Sequence, residues 1–259
     1  MITEFEKDSA STLEKYLDDR NIKGVCFDLD NTVFDTDPYF IIPKKRCYLE
    51  IANKFPYEGE DPEHTAQKIS DFVHEEFIRR NCKPLPVKVE YLEGVMNYYK
   101  DSYDPEMEEI VNSHFDNFYN GSPELLDNGR KLFSYLYNYR NMKLMVANSL
   151  AGKDWTGIKI ARMKQECEID YLPYFTTDID KPKDWDQPLM FMYLEGVNFG
   201  NILVIGDSLE SDVIPAAQSG AQHIIWIDWR GRAAENIDKL PKTAEITIVN
   251  NLEDIFDLE

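Results

Sequence analysis

The sequence predicts an α/β protein, a doubly wound parallel sheet interrupted by an all-helical insertion. Three observations lead to that fold class. Short apolar runs recur along the chain: "GVCFDL" (24–29), "KLMVAN" (143–148), "NILVIGD" (201–207), "HIIWID" (223–228) and the weaker "EITIV" (245–249). Such continuous runs suit strands buried on both faces of a parallel sheet. Helical patterns fall between them, and strands alternating with helices imply right-handed crossovers. Residues 37 to 121 break this rhythm with helical patterns and Pro-rich joints but no buried strand. The expected division is therefore an α/β core of residues 1–36 and 122–259, with a helical unit of residues 37–121.

Taken in order, "ASTLEKYLDD" (10–19) spaces Leu13, Tyr16 and Leu17 for a short amphipathic helix. The first strand follows. Within the insertion, "KKRCYLEIANKF", "HTAQKISDFVHEEFIRR", "VEYLEGVMNYYK" and "EMEEIVNSHFDNFY" each read as a helix. A helix is expected over 122–140, started by Ser122 and Pro123, and another over 154–167. A third covers 212–220, with Gly220 as its stop.

Composition narrows the function classes. The chain has 259 residues, 43% hydrophobic and 13% aromatic, enough for a well-filled core rather than a disordered chain. A net charge of −20 opposes binding to nucleic acid or to an anionic membrane surface. A small anionic substrate is still compatible, because one metal ion and one lysine can dominate a local field. The N-terminal dozen residues lack the apolar run of a signal peptide, and no stretch approaches the ~20 apolar residues of a membrane span. Cys26, Cys47, Cys82 and Cys167 show no C-x-x-C spacing, which fits ordinary thiols in a reducing compartment, with the cytoplasm as the default.

Four features fall at strand ends, where open α/β sheets bind ligands. In Asp28-Leu29-Asp30-Asn31-Thr32, alternate residues leave the strand on one side, so two carboxylates face one site. Like charges that close call for a shared cation or a retained proton. Asp207 and Asp212 in "VIGDSLESD" follow another strand and could share a hard cation with Asp28, in the oxygen-rich setting Mg²⁺ prefers. Lys181 in "TTDIDKPKDWDQP" could supply a fixed positive charge, and Asn148-Ser149 hydrogen-bond donors. Each feature also has a plainer reading. The Asp-rich stretch could be a turn, and Ser208 or Ser211 could cap a helix. A loop lysine is commonly solvated, and Asn-Ser commonly caps. His64, His74, His114 and His223 share no metal-ligand spacing.

In this order the four features resemble the haloacid dehalogenase (HAD) superfamily, in the branch with a helical cap inserted after the first strand. The resemblance covers residues 22 to 257. "DLDNTVFDTD" is similar to the first motif, "KPKDWDQPLMFMYLEGV" to the region of the motif lysine, and "GDSLESDVIPAAQSGA" to the fourth motif. "AEITIVNNLEDIF" resembles the last short strand and closing helix. The resemblance implies a Mg²⁺-dependent phosphatase working through an aspartyl-phosphate on Asp28, with Asp30 as general acid and base. It places Mg²⁺ on Asp28, the backbone carbonyl of Asp30, and Asp207. Lys181 would bind the phosphoryl group, and Asp212 would orient Lys181 or a metal-bound water. Where the family has Thr or Ser at the end of the second strand, this chain has Ala147-Asn148-Ser149. Either Asn148 or Ala147 takes that position, with Asn148 favoured and Ser149 beside it as phosphate donors. The family's dehalogenases lack a second motif Asp, so Asp30 argues for phosphate chemistry. A phosphomutase, or a regulator with little or no catalysis, is the alternative. Lys44 and Lys45 read as the solvated start of a helix rather than as an imine-forming lysine. The expected partner is a small phosphorylated metabolite, with no nucleic acid and no membrane, on a monomer or homodimer.

Overall fold

In the computed structural model, which describes residues 4–57, 59–79, 87–150, 153–178, 181 and 183–258, the centre of the molecule is the strand Gly24–Phe27 (β1). Every residue of β1 is buried. It pairs in parallel with Lys143–Leu150 (β4) on one side and Ile202–Gly206 (β6) on the other. Beyond β4 lies Tyr174–Asp178 (β5); beyond β6 lie His223–Ile227 (β7) and Glu245–Val249 (β8). The six-stranded order is β5-β4-β1-β6-β7-β8. The chain winds outward from β1 in one direction and then returns to wind in the other, so the order reverses beside β1, and ligands bind at such reversals.

Alternation along the strands sorts side chains to two faces. Val25, Phe27, Leu144, Val146, Leu203 and Ile205 share one apolar cluster with Leu13, Leu17, Ile160 and Met163. Cys26, Met145, Val204, Ile224 and Trp226 share another with Trp185, Leu189 and Ala216. The first is covered by the leading helix Glu4–Asp19 (α1) and by Lys153–Glu166 (α7). The second is covered by Asp186–Leu194 (α8) and Ile214–Gln218 (α9). The leading helix thus packs on this chain's own core, where Tyr16 also hydrogen-bonds Thr247 of β8 at 3.0 Å.

Between β2 (Phe34–Asp35) and β3 (Glu124–Leu125) the chain forms four longer helices: Thr36–Lys54 (α2), Pro62–Arg79 (α3), Val87–Tyr99 (α4) and Pro105–Phe115 (α5). Their apolar residues recur at i, i+4: Cys47 with Ile51, Ile69 with Val73, Tyr91 with Val95, and Met107 with Val111 and Phe115. That spacing puts one stripe of each helix into a shared cluster. Asp104 starts α5 by accepting from the Glu106 N–H, with Pro105 at the first helical position. β2 and β3 pair antiparallel, Phe34 with Leu125 and Asp35 with Glu124, so the exit and return of the chain lie side by side.

This pairing corrects the expected helix over 122–140. Glu124 and Leu125 are taken by β3, and the Leu126 N–H is tied to the Val33 carbonyl at 2.9 Å. The helix therefore starts at Asp127 (α6, Asp127–Ser134) and continues as a wider turn through Tyr139, and Ser122 caps nothing. Gly220 does stop α9, at φ +100°, a conformation that suits glycine. Among the described residues the last α-helix, Ala233–Asn236 (α10), is a single turn after β7, and a 3₁₀ helix, Glu253–Asp257, follows β8. Among the described residues no helix is long and apolar enough to cross a membrane.

Candidate active site

The register of the sheet assembles the acidic groups. Phe27 is level with Ile205, so Asp28 and Asp207 are each within a residue or so of the ends of adjacent strands. Asp212 comes from the turn after β6, with Ser208 before it. Ser208 also does the capping the plainer reading gave it, accepting from the Ser211 N–H at 3.1 Å. Carboxylate oxygens of Asp28, Asp207 and Asp212 all lie within 4.8 Å of one another.

The lysine among them is Lys183, not Lys181. Its ammonium lies 2.5 Å from Asp28 Oδ1 and 2.5 Å from Asp212 Oδ1, and all three side chains are buried. Lys181 instead points to solvent and pairs with Asp178 at 2.7 Å. The two lysines straddle Pro182, and a one-dimensional motif match selects the lysine that precedes the proline. The structure selects the one in phase with buried Trp185, two residues on.

The second oxygens of Asp28 and Asp212, and both of Asp30, are engaged as well. Thr32 donates to Asp28 Oδ2 at 3.0 Å, and the Ser208 N–H donates to Asp212 Oδ2 at 3.0 Å. Asp30 is held away from the acidic triad's lysine by a second one: Lys159 Nζ lies 2.7 and 2.8 Å from its two oxygens, and Thr36 donates to Oδ1 at 2.9 Å. Lys159 was not among the expected site residues, although a signal existed. It lies on one face of α7 with Trp155 and Met163, so a lysine interrupts an otherwise apolar stripe at i, i+4, i+8.

Burial, with repulsion from Asp212 and Asp30, pushes Asp28 up to about 7 despite the opposing pull of Lys183. Burial and the charges of Asp28 and Asp212 push Asp207 well above the usual carboxylate range. For Lys183 burial opposes the charge, but Asp212 and Asp28 outweigh it and hold the ammonium protonated more firmly than usual. For Lys159 burial wins over the attraction of Asp30, and its pKa falls below the usual lysine value. With every carboxylate ionised, four of them face two ammonium groups and leave an excess of two negative charges. An all-oxygen donor set with that excess fits a hard dication. In the geometry, the carboxylates grouped as candidate ligands are those of Asp28, Asp207 and Asp212, whereas the side chain of Asp30 is committed to Lys159 and Thr36.

At the end of β4, Ala147 belongs to the apolar cluster with Met145 and Trp185. Asn148 is buried on the other face, where its Nδ2 donates to Thr156 of α7 at 3.2 Å while Oδ1 has no hydrogen-bond partner. The backbone of Ser149 is level with Thr177 of β5; its side chain lies outside the described residues. Cys26, Cys47 and Cys167 are free and buried, and Cys82 lies outside the described residues. His114 and His223 meet Glu50 and Glu245, away from the acidic cluster.

By sequence, no family model and no curated protein matches the chain. By structure the likeness is extensive. A haloacid dehalogenase-like family hydrolase from Xanthomonas campestris superposes with a TM-score of 0.62 at 14% identity, over 91% of this chain and 93% of that one. A 2-haloacid dehalogenase from Pseudomonas syringae pv. Tomato gives 0.53 at 19% identity, over 91% and 97%. A HAD-hydrolase from Bacillus subtilis, solved bound to magnesium, gives 0.56 at 14% identity, again over 91% and 97%. The chain has the fold of the haloacid dehalogenase-like hydrolases.

Proposed function

We propose that the protein is a Mg²⁺-dependent phosphomonoesterase acting on a small phosphorylated metabolite through an aspartyl-phosphate. The observation that carries this reading is the pair Asp28 and Asp30, each beside the other and each held by its own lysine. In the dehalogenase members of the family that the sequence motifs resemble, a second carboxylate at this position is missing. Here it is present, buried on one side and oriented, which suits the two proton transfers of ester hydrolysis.

Asp28 Oδ1 or Oδ2 attacks phosphorus, the bond from phosphorus to the ester oxygen breaks, and that oxygen leaves with a proton from Asp30. Asp30 then takes a proton from water as the water oxygen attacks the aspartyl-phosphate, releasing inorganic phosphate and restoring Asp28. Lys183 and Thr32 fix the nucleophile, and Asp212 fixes Lys183. Fixed charges of this kind meet the transferring group without rearrangement. Asp28 and Asp207, with the backbone carbonyl of Asp30, would hold Mg²⁺. When bound it would neutralise the excess carboxylate charge and polarise the phosphoryl oxygens. Asn148 serves as phosphate donor if its amide is turned so that Thr156 donates to Oδ1 and Nδ2 is left to donate. Helices α2–α5 act as a cap over the site and set substrate choice.

The test is phosphate release from a panel of sugar phosphates, phosphoglycolate, nucleotides and p-nitrophenyl phosphate, with Mg²⁺ and after chelation. Metal-dependent release from at least one small ester is expected. An isomerised product without free phosphate would make the protein a mutase, and magnesium binding without turnover would make it a regulator.

A further inference from the structure

Lys159 has no solvent exposure, and its ammonium lies 4.0 Å from the centroid of the Trp155 ring one turn earlier in α7. A lysine ordinarily lays its stem on apolar surface and keeps its head in water. Burying the head is strongly unfavourable unless the partner geometry is good. Here the partner is a carboxylate gripped by both oxygens, with an indole face behind it. An ion pair serving only to dock α7 could have used any acidic residue of the core. This one sits on the carboxylate next to the nucleophile.

Thr36 adds a second constraint from a different part of the chain. It is the first residue of α2, at the root of the helical unit, and donates to the oxygen that Lys159 also touches. Trp155 in turn lies against Tyr39, Phe40 and Phe118, at ring distances of 5.8, 5.7 and 6.0 Å. Asp30 is therefore fixed in plane and direction by groups from the core and from the helical unit together.

We propose that Lys159, assisted by Thr36, is the positioning residue for Asp30, setting its carboxyl on the leaving-group side of the ester. The inference rests on the reading of Asp30 as acid and base given above. The proton that reaches the leaving oxygen is Asp30's, and Lys159 remains an ammonium throughout.

The experiment compares kcat/KM for p-nitrophenyl phosphate and phenyl phosphate with Mg²⁺ in the full-length protein. The two esters have nearly the same shape, but phenolate is about as basic as a tyrosine side chain and needs a proton as it leaves, whereas p-nitrophenolate does not. Asp30→Asn sets the scale: phenyl phosphate should lose about 100-fold more than p-nitrophenyl phosphate. Lys159→Met should show the same selective loss at about 10-fold, and Thr36→Val at a few fold. Equal losses on both esters in Lys159→Met and Thr36→Val, beside a selective loss in Asp30→Asn, would make the lysine a structural ion pair and overturn the inference alone. If Asp30→Asn shows no selectivity, the reading of Asp30 falls and the inference with it. Should Lys159→Met fail to fold by circular dichroism, the ratio in Thr36→Val decides the matter.

Discussion

Replacing Asp28 by Asn should abolish turnover and, without metal, make the protein more stable. Burial and neighbouring carboxylates raise the folded-state pKa of Asp28 from an ordinary 3.8 to about 7. The sign follows from linkage. A carboxylate whose folded pKa is raised costs nothing below its unfolded pKa, costs more as pH climbs between the two values, and costs a constant amount above the higher one. At about 1.4 kcal/mol per pH unit, the cost is on the order of 1–2 kcal/mol at pH 5 and about 4 kcal/mol above pH 7. Asparagine removes the charge but keeps an oxygen for Lys183. In a chain of this size each kcal/mol moves the melting midpoint by about 2–4 °C. The variant should therefore melt a few degrees above the parent at pH 5 and about 10 °C above it at pH 8, in chelator. Adding Mg²⁺ should narrow the gap, because it stabilises the form with the full ligand set more. Thermal melts of both proteins across pH 4 to 8, with EDTA and with Mg²⁺, provide the measurement. A variant that melts below the parent at pH 8 in EDTA would refute the reasoning, since it would mean that Lys183 already compensates the buried charge in full.

Three further outcomes separate neighbouring residues. Lys181→Met should leave kcat/KM within about twofold, since its exposed pair with Asp178 is worth little, whereas Lys183→Met should lower turnover at least 10²-fold by removing a preorganised charge. Steady-state assays on whichever ester the panel reveals would show this. Asp207→Asn should weaken Mg²⁺ binding by about tenfold or more in a calorimetric titration, with a smaller effect from the same change at Asp30 because its side chain is committed to Lys159. Gly206→Ala should cut kcat about tenfold or more and also lower the melting midpoint, because a methyl there would lie 2.6 Å from the side chain of Asp212 and push it off the buried Lys183.

Five of the six strands were legible because β1, β4, β6, β7 and β8 carry consecutive apolar residues. The missing strand, β5, is an edge strand whose "YFTTD" is nowhere fully buried, so its sequence carries no apolar run. The two-residue strands β2 and β3 fall below any periodicity, and their pairing is what displaced the start of α6. At the site, Asp28, Asp207 and Asp212 could be read because each directly follows a strand or its turn. Lys183 could not be separated from Lys181 on spacing alone, since the distinction depends on which lysine shares the buried phase of Trp185. Lys159 was hidden by a different cause. A lysine every few residues is ordinary on an exposed helix, and only the knowledge that 155, 159 and 163 face inward turns it into a buried charge.

The two lysines also come from opposite sides of the sheet. α7 lies on the face that holds Val25 and Phe27, and the segment leading into α8 lies on the face that holds Cys26. The repulsion between Asp28 and Asp30 is thus answered twice, by Lys183 from one face and by Lys159 from the other. Asp212 shares Lys183. Asp207 is the exception: among the described residues its carboxylate has no ion pair, and its pKa is pushed well above the ordinary range by burial and by Asp28 and Asp212. A half-buried carboxylate with no ion pair is costly, and it is tolerated where a ligand supplies the missing charge. The protein's own cations therefore pair Asp28, Asp30 and Asp212 but not Asp207. What they leave without a cation is Asp207, grouped with Asp28 and Asp212, where a dication would offset the remaining carboxylate charge.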